Sequence, residues 1–187
     1  IPTKVWILNK PEGYVCSNKE QFSQKSIFRL LPNNFPRVVT VGRLDISSDG
    51  LIILTNNPTL SAFLELPKNQ INRIYKVKVF GNINSRLEGE SKKQLFIDGI
   101  LYKNFKVKIL TNKPNNNILE ICLTEGKNRE IRKILEYFNL KVKKLTRISF
   151  GPFKLNNMNK GEITELNYKY LEKILKSLNF KNENNFW

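Results

Sequence analysis

The stretch Arg73–Gly81 reads RIYKVKVFG. Tyr75, Val77 and Val79 fall on one side of it, and Lys76 and Lys78 on the other. Such alternation marks a strand with one face buried and a basic face in water, the pattern of antiparallel sheets. Working outward, Val5–Leu8 reads as a strand ending in the turn NKPEG, and Ser26–Leu31 as a short apolar run stopped by Pro32. Val38–Val41 and Leu51–Thr55 are compact, partly β-branched runs and read as strands. Pro58 opens a helix to about Leu66, since proline suits a first turn. Ser85–Leu95 is a weaker helix, and NFKVKIL and ILEICLTEG read as a strand pair joined by the loop TNKPNNN. Asn128–Phe138 sets Ile131, Ile134, Leu135 and Phe138 at i, i+3, i+4 and i+7, an amphipathic helix. Lys141–Phe150 is a further strand, closed by Gly151-Pro152. A last helix runs from about Thr164 to Leu178, with Leu166, Tyr170, Leu171, Ile174 and Leu178 on its apolar face, and the tail 181–187 is expected to be loose. Strands and helices do not alternate, so the expected class is α+β with a mostly antiparallel or mixed sheet.

The length of 187 residues suits one domain or two closely joined subdomains with a real core. Lys and Arg number 32 against 16 Asp and Glu, a formal charge of +16. A fold does not need that imbalance; its field attracts polyanions, and nucleic acid is the leading candidate. Part of the lysine excess reads as coding from an AT-rich genome. No apolar run approaches the ~20 residues of a membrane span. Histidine is absent, which removes Ser-His-Asp and Cys-His catalysis and histidine metal ligands together. Cys16 and Cys122 lie far apart, with no metal-ligand spacing and no disulfide framework, and a reducing compartment fits. Any active site is therefore built from Asp, Glu, Tyr, Ser, Thr, Lys or Arg.

Two stretches could carry such chemistry. In VGRLDISSDGLIILTNN, Val41–Asn57, an Asp in a turn ordinarily accepts backbone N–H bonds, and Asp49-Gly50 fits that reading as the turn that launches the next strand. Asp45 fits it less well, because Arg43 lies two residues earlier. A nearby guanidinium favours the ionised carboxylate, suited to a nucleophile or base. In EGKNREIRK, Glu125–Lys133, Gly126 breaks a strand and a helix begins near Asn128, where free N–H groups suit phosphate. Arg129 and Arg132 occupy the face opposite the apolar stripe, with Lys133 at its flank. Basic residues in a first turn oppose the helix dipole unless an anion is near. Tyr75 is either a core tyrosine or a plate for a base to stack on, and Leu145, alternating in KVKKLTRIS, reads as core.

Taken in order, NKPEG, GRLDISSDGLIILTNN, RIYKVKV, EGKNREIRKIL, KKLTRISFGPFKL and GEITEL cover nearly the whole chain. In that order the chain resembles the RsuA/RluB/RluE/RluF family of ribosomal RNA pseudouridine synthases. The resemblance implies the pseudouridine synthase fold: α+β, a mixed, mainly antiparallel sheet with flanking helices, and a central cleft lined by Asp45, Tyr75 and Arg132. It implies a catalytic domain over 1–180, with no S4 RNA-binding domain in the chain as given, since NKPEG begins at Asn9. The implied reaction turns a uridine of ribosomal RNA into its C-glycoside without a cofactor or metal. Asp45 matches the catalytic aspartate, which could attack the anomeric carbon, take the 2′ proton or add to the pyrimidine. Tyr75 matches the tyrosine that stacks on the target base and is the proposed base for the C5 proton. Arg132 matches the basic residue paired with that aspartate, Leu145 the apolar residue beneath the site, and Arg43 the arginine that holds the nucleotide out of its stack. Extrusion is expected because both the glycosidic bond and C5 must be reached, at a cost of a few kcal/mol.

The candidate RNA contacts are Arg43, Lys127, Asn128, Arg129, Lys133 and Arg147. The implied partner is ribosomal RNA or a pre-ribosomal particle, met by a monomer with no membrane. The compartment is the bacterial cytoplasm or a eukaryotic organelle with bacterial-type ribosomes. One departure is notable: Glu130 stands where the family usually has Gln. An ionised Glu cannot donate a hydrogen bond as Gln can, and pairing with a nearby Arg is its expected substitute. A non-enzymatic rRNA-binding assembly factor is the alternative reading, and an enzyme of free nucleosides a second one. The first could keep the charge and dispense with Asp45; the second would not bind RNA.

Overall fold

The computed structural model describes residues 1–20 and 23–181. The tail expected to be loose lies outside the described residues from position 182 onward. In chain order come β1 (Val5–Lys10), β2 (Tyr14–Val15), β3 (Lys25–Ser26), β4 (Val39–Val41), β5 (Asp49–Thr55) and α1 (Pro58–Glu65). Next are β6 (Arg73–Phe80), α2 (Ser85–Ser91), β7 (Leu95–Ile97), β8 (Ile100–Tyr102), β9 (Lys106–Lys113) and β10 (Asn116–Leu123). Last are α3 (Glu130–Tyr137), β11 (Lys141–Phe150), β12 (Phe153–Lys154), β13 (Ile163–Glu165) and α4 (Tyr168–Ser177). The class is α+β with a mainly antiparallel strand set; β2 and β3 pair in parallel. The chain divides into two compact units, residues 1–69 with 152–187, and residues 70–151.

In the first unit β1 lies between β13 and β5, and β4 pairs with the other edge of β5, all antiparallel. Every residue of VWILNK and of DGLIILT is buried. That explains why these strands read as nearly continuous apolar runs rather than alternating ones. Helix α1 begins where Asn57 Oδ1 accepts from Thr59 N at 3.0 Å and Leu60 N at 3.3 Å, with Pro58 in the first turn. Leu60 and Leu64 of α1 and Leu171 and Leu175 of α4 are buried, and the rings of Phe63 and Phe180 meet at 5.1 Å.

In the second unit β11, β6, β10 and β9 form an antiparallel ladder in that order. β6 alternates as expected, with Tyr75, Val77 and Val79 buried and Lys76 and Lys78 exposed; Arg73 joins the buried face. Gly81, at φ +126°, ends the strand where a Cβ would lie 2.9 Å from the carbonyl oxygen of Asn139, so a side chain has no room.

Several boundaries differ from the sequence reading. Asp49-Gly50 is not a turn before β5 but its first two residues, because Gly50 pairs with Lys10 of β1. The helix read over Ser85–Leu95 stops at Ser91, and Leu95–Ile97 instead pairs with Ile100–Tyr102 as a hairpin. Asp98 and Gly99, at φ +49° and +81°, form its two-residue turn. The loop TNKPNNN is mostly absorbed into β9 and β10. Helix α3 begins two residues later than Asn128, since Arg129 takes a left-handed conformation, φ +52°, at its N-cap. Helix α4 begins at Tyr168 because Ile163–Glu165 pairs with β1; Tyr170 is exposed, and Leu175 takes its place in the core.

Candidate active site

In the first unit Asp45 sits in the turn between β4 and β5, half-buried, with Arg43 exposed beside it. Its carboxylate does accept local bonds, Oδ1 from Ser47 N at 3.4 Å and Oδ2 from Ser47 Oγ at 3.2 Å. Its carbonyl accepts from Ser48 N at 3.0 Å, closing a four-residue turn, and Gly13 N donates to Ile46 O at 2.8 Å. Cys16 Sγ lies 3.4 Å from both N and O of Leu44. Gly42 N donates to Glu65 Oε1.

Beneath this turn lies a residue that sequence reading passed over. Lys10 ends β1 with 0% exposure. Its ammonium donates to Ser48 O at 2.6 Å, Pro11 O at 3.0 Å and Asp45 O at 3.2 Å. Burial lowers its pKa, while Cys16, Asp45, Asp49 and Glu12 act in the opposite direction. Three donors on three carbonyls tie both sides of the Asp45 turn to the end of β1. The clue in the sequence is a lysine closing the otherwise buried run VWILN. Asp49, which looked like a turn acid, is 1% exposed and pairs with Lys160 Nζ.

The other candidate residues belong to the second unit. Tyr75 (8% exposed) faces Arg147 across the β6–β11 ladder, and Leu145 (6%) faces Val77 two residues along. Arg147 is itself 3% exposed, with its guanidinium 5.2 Å from the Phe150 ring, so it is no open phosphate contact. Arg132 and Lys133 are half-buried on α3, whose Ile131, Ile134 and Leu135 face the core. Lys127, Asn128 and Arg129 are exposed in the segment before α3. Lys127 Nζ donates to Leu101 O and lies 3.3 Å from Glu125 Oε2.

Two further residues were not singled out as site residues. Arg73 is buried over the Phe150 ring at 4.7 Å and donates through Nη1 to Ile71 O at 2.8 Å and Thr124 O at 3.0 Å. Glu130 is 3% exposed, and its pKa is pushed up to about 8 by burial and by the Glu125 carboxylate. The expected pairing of Glu130 with an arginine does not form, because the nearby Arg73 gives its hydrogen bonds to carbonyls.

A family model described as RNA pseudouridylate synthase matches residues 4–137. The chain belongs to this family. A Rickettsia typhi protein described as an uncharacterized RNA pseudouridine synthase is 42% identical over 172 residues, 92% of this chain and 70% of the relative. The ribosomal large subunit pseudouridine synthase B of Buchnera aphidicola subsp. Schizaphis graminum is 37% identical over 186 residues, 96% of this chain and 72% of the relative. A crystal structure of a pseudouridylate synthase superposes with a TM-score of 0.83 at 23% identity, over 92% of this chain and 74% of that one. The relatives are of the RsuA/RluB type, as the motif order implied. The chain is thus an RNA pseudouridine synthase, an isomerase of uridine in RNA.

Proposed function

We propose that this synthase modifies a uridine of ribosomal RNA and that Asp45 is its catalytic carboxylate. The Buchnera relatives, named for the large ribosomal subunit, support the substrate class, and the charge of +16 suits a phosphate-rich partner. The observation that carries Asp45 is the buried Lys10 ammonium, which donates to the backbone carbonyls of Asp45 and Ser48. A carboxylate on a turn anchored from below has its backbone fixed before substrate arrives, as catalysis by positioning demands.

The reaction breaks the N1–C1′ bond of the nucleotide and forms C5–C1′. The proton on C5 leaves and N1 gains one, so nothing is oxidised and no group is lost. Asp45 is the anion for the glycosidic step, whichever of its three routes it takes. Tyr75 supports the base and accepts the C5 proton, Arg132 supplies the positive charge, and Leu145 packs below. Arg43, Lys127, Asn128, Arg129 and Lys133 contact RNA, and their contribution weakens with salt.

Release of tritium from ribosomal RNA labelled with 5-³H-uridine tests this reading. Wild type releases tritium and Asp45→Asn releases none. Equal release by the two sinks the assignment of Asp45. No release by wild type from any ribosomal RNA favours a non-enzymatic RNA-binding role instead.

A further inference from the structure

The segment 125–130 in the second unit brings two carboxyl groups together at the start of α3. Glu125 is 9% exposed and well provided with donors. Its Oε1 accepts from Lys103 N at 2.9 Å, and its Oε2 lies 3.3 Å from Lys127 Nζ. Glu130 is deeper, at 3% exposed, and poorly provided. Its Oε1 accepts from Lys127 N at 3.1 Å, and its Oε2 is buried with no donor in reach. Its side-chain neighbour in hydrogen-bond reach is Glu125. Two carboxylates cannot bond each other, so the contact requires a proton between them.

The surroundings decide which carboxyl holds that proton. Glu125 meets a backbone N–H and an ammonium. Glu130 meets one backbone N–H, the Glu125 charge and the low-dielectric interior. From β6, Arg73 faces both glutamates, with Tyr75 and Arg147 beside it. From β8 and its turn, the Tyr102 hydroxyl feels Glu130, Asp98 and Glu125 in that order. On the segment itself Lys127 is the cation that acts on Glu130, and Arg129 is exposed at the N-cap. The helix dipole favours an ionised carboxylate in a first turn, but only weakly at ordinary sites. Burial beside a like charge outweighs that, and the raised pKa of Glu130 follows.

At the start of α3, Glu130 N donates to Lys127 O at 3.2 Å and Lys133 N to Arg129 O at 3.0 Å. Arg129 is its N-cap and provides no side-chain cap. The Glu130 carboxyl, reaching back to Lys127 N and across to Glu125, does what a cap would do.

We propose that Glu130 is a positioning residue: one proton shared with Glu125 closes the segment 125–130 and thereby sets α3 and its Arg132. Loss of the proton puts two negative charges face to face and loosens that segment. The activity consequence rests on the function proposed above; the structural consequence does not.

The test compares wild type with Glu130→Gln, whose amide donates to Glu125 without a titrating proton. The melting temperature of wild type falls relative to that of Glu130→Gln as pH rises from 5 to 8.5. On labelled ribosomal RNA, the ratio of wild-type to Glu130→Gln kcat falls about tenfold between pH 7 and pH 9, one unit past the ionisation, with KM moving less. Glu125→Gln is the second variant: its amide donates to Glu130, so the midpoint of the pH effect moves to lower pH. Should Glu130→Gln fail to fold, that shift decides the matter. Parallel melting curves for wild type and Glu130→Gln, or an unmoved midpoint in Glu125→Gln, overturn the proposal. A wild type inactive on RNA whose melting curves still diverge overturns the proposed function and leaves the shared proton standing.

Discussion

Lys10 in the first unit and Glu130 in the second are both ionisable, both buried, and both adjoin a stretch that holds a candidate catalytic residue. Burial disfavours the charged form of both, but their partners differ. The Lys10 ammonium has three carbonyls within 3.2 Å and carboxylates nearby, so its charge has partners in place of water. One oxygen of Glu130 has no donor and faces another carboxylate, so the group gives up its charge instead. The number of complementary groups around a buried ionisable residue, more than its depth, decides whether it stays charged.

The largest effect should come from removing the saturated charge. Lys10→Met keeps the volume but removes the ammonium from Ser48 O, Pro11 O and Asp45 O. Buried carbonyls deprived of charged donors cost about 3–5 kcal/mol together, read as a drop in the urea midpoint at unchanged slope. Activity should fall further than stability accounts for, since the Asp45 turn loses its anchor. An unchanged midpoint would break the comparison, showing that the carbonyls find other donors.

The next effect is a pH dependence opposite in sign to that of Lys10, whose pKa burial lowers. Glu130 is raised from 4.5 to about 8 in the folded chain. Its stabilising contribution is therefore complete below pH 4.5 and is lost as pH rises to about 8, where it levels off. The slope approaches ~1.4 kcal/mol per pH unit, or roughly 2–3 kcal/mol between pH 6 and pH 8. Glu130→Gln should flatten this part of the profile in urea melts at a series of pH values.

These environments mark what a single sequence can and cannot disclose. The alternation of β6 was legible because strand side chains change faces at every residue, whatever lies beyond the strand. The apolar stripe of α3 was legible for the same local reason, with its helical period. The start of α3 was not, because it depends on Arg129 adopting a left-handed backbone. The β7–β8 hairpin had its Asp-Gly turn in plain view, but strands of three residues are too short for a period to show. Lys10 was hidden by the ordinary expectation that lysine faces water. Glu130 titrates as it does because the fold buries it beside Glu125, and burial comes from residues far apart in the sequence. Asp45 stood out as a site candidate through the order of motifs along the chain; its spacing alone also fitted a turn residue.

A smaller effect is expected where a buried polar group is neutral and fully bonded. Asn57 is 0% exposed; its oxygen caps α1 and its Nδ2 donates to Thr3 Oγ1 at 3.0 Å. Asn57→Ala should cost about 1–2 kcal/mol by thermal melting. A loss as large as that of Lys10→Met would show that charge adds nothing to the value of a saturated site.

The smallest effect sharpens the comparison most directly, because it uses the same residue type as Lys10 in the opposite environment. Lys78 stands on the wet face of β6, directly across the ladder from Lys144. In water its ammonium needs no protein acceptor, and a like charge opposite it is mildly unfavourable. Lys78→Ala should therefore shift stability by no more than about 0.5 kcal/mol, slightly upward in low salt and not at all in high salt. If this face meets RNA, the same variant weakens binding and lowers the salt slope by about one unit per lost phosphate contact. A destabilisation near that of Lys10→Met would mean that lysine methylenes, rather than ammonium partners, carry the difference between the two sites.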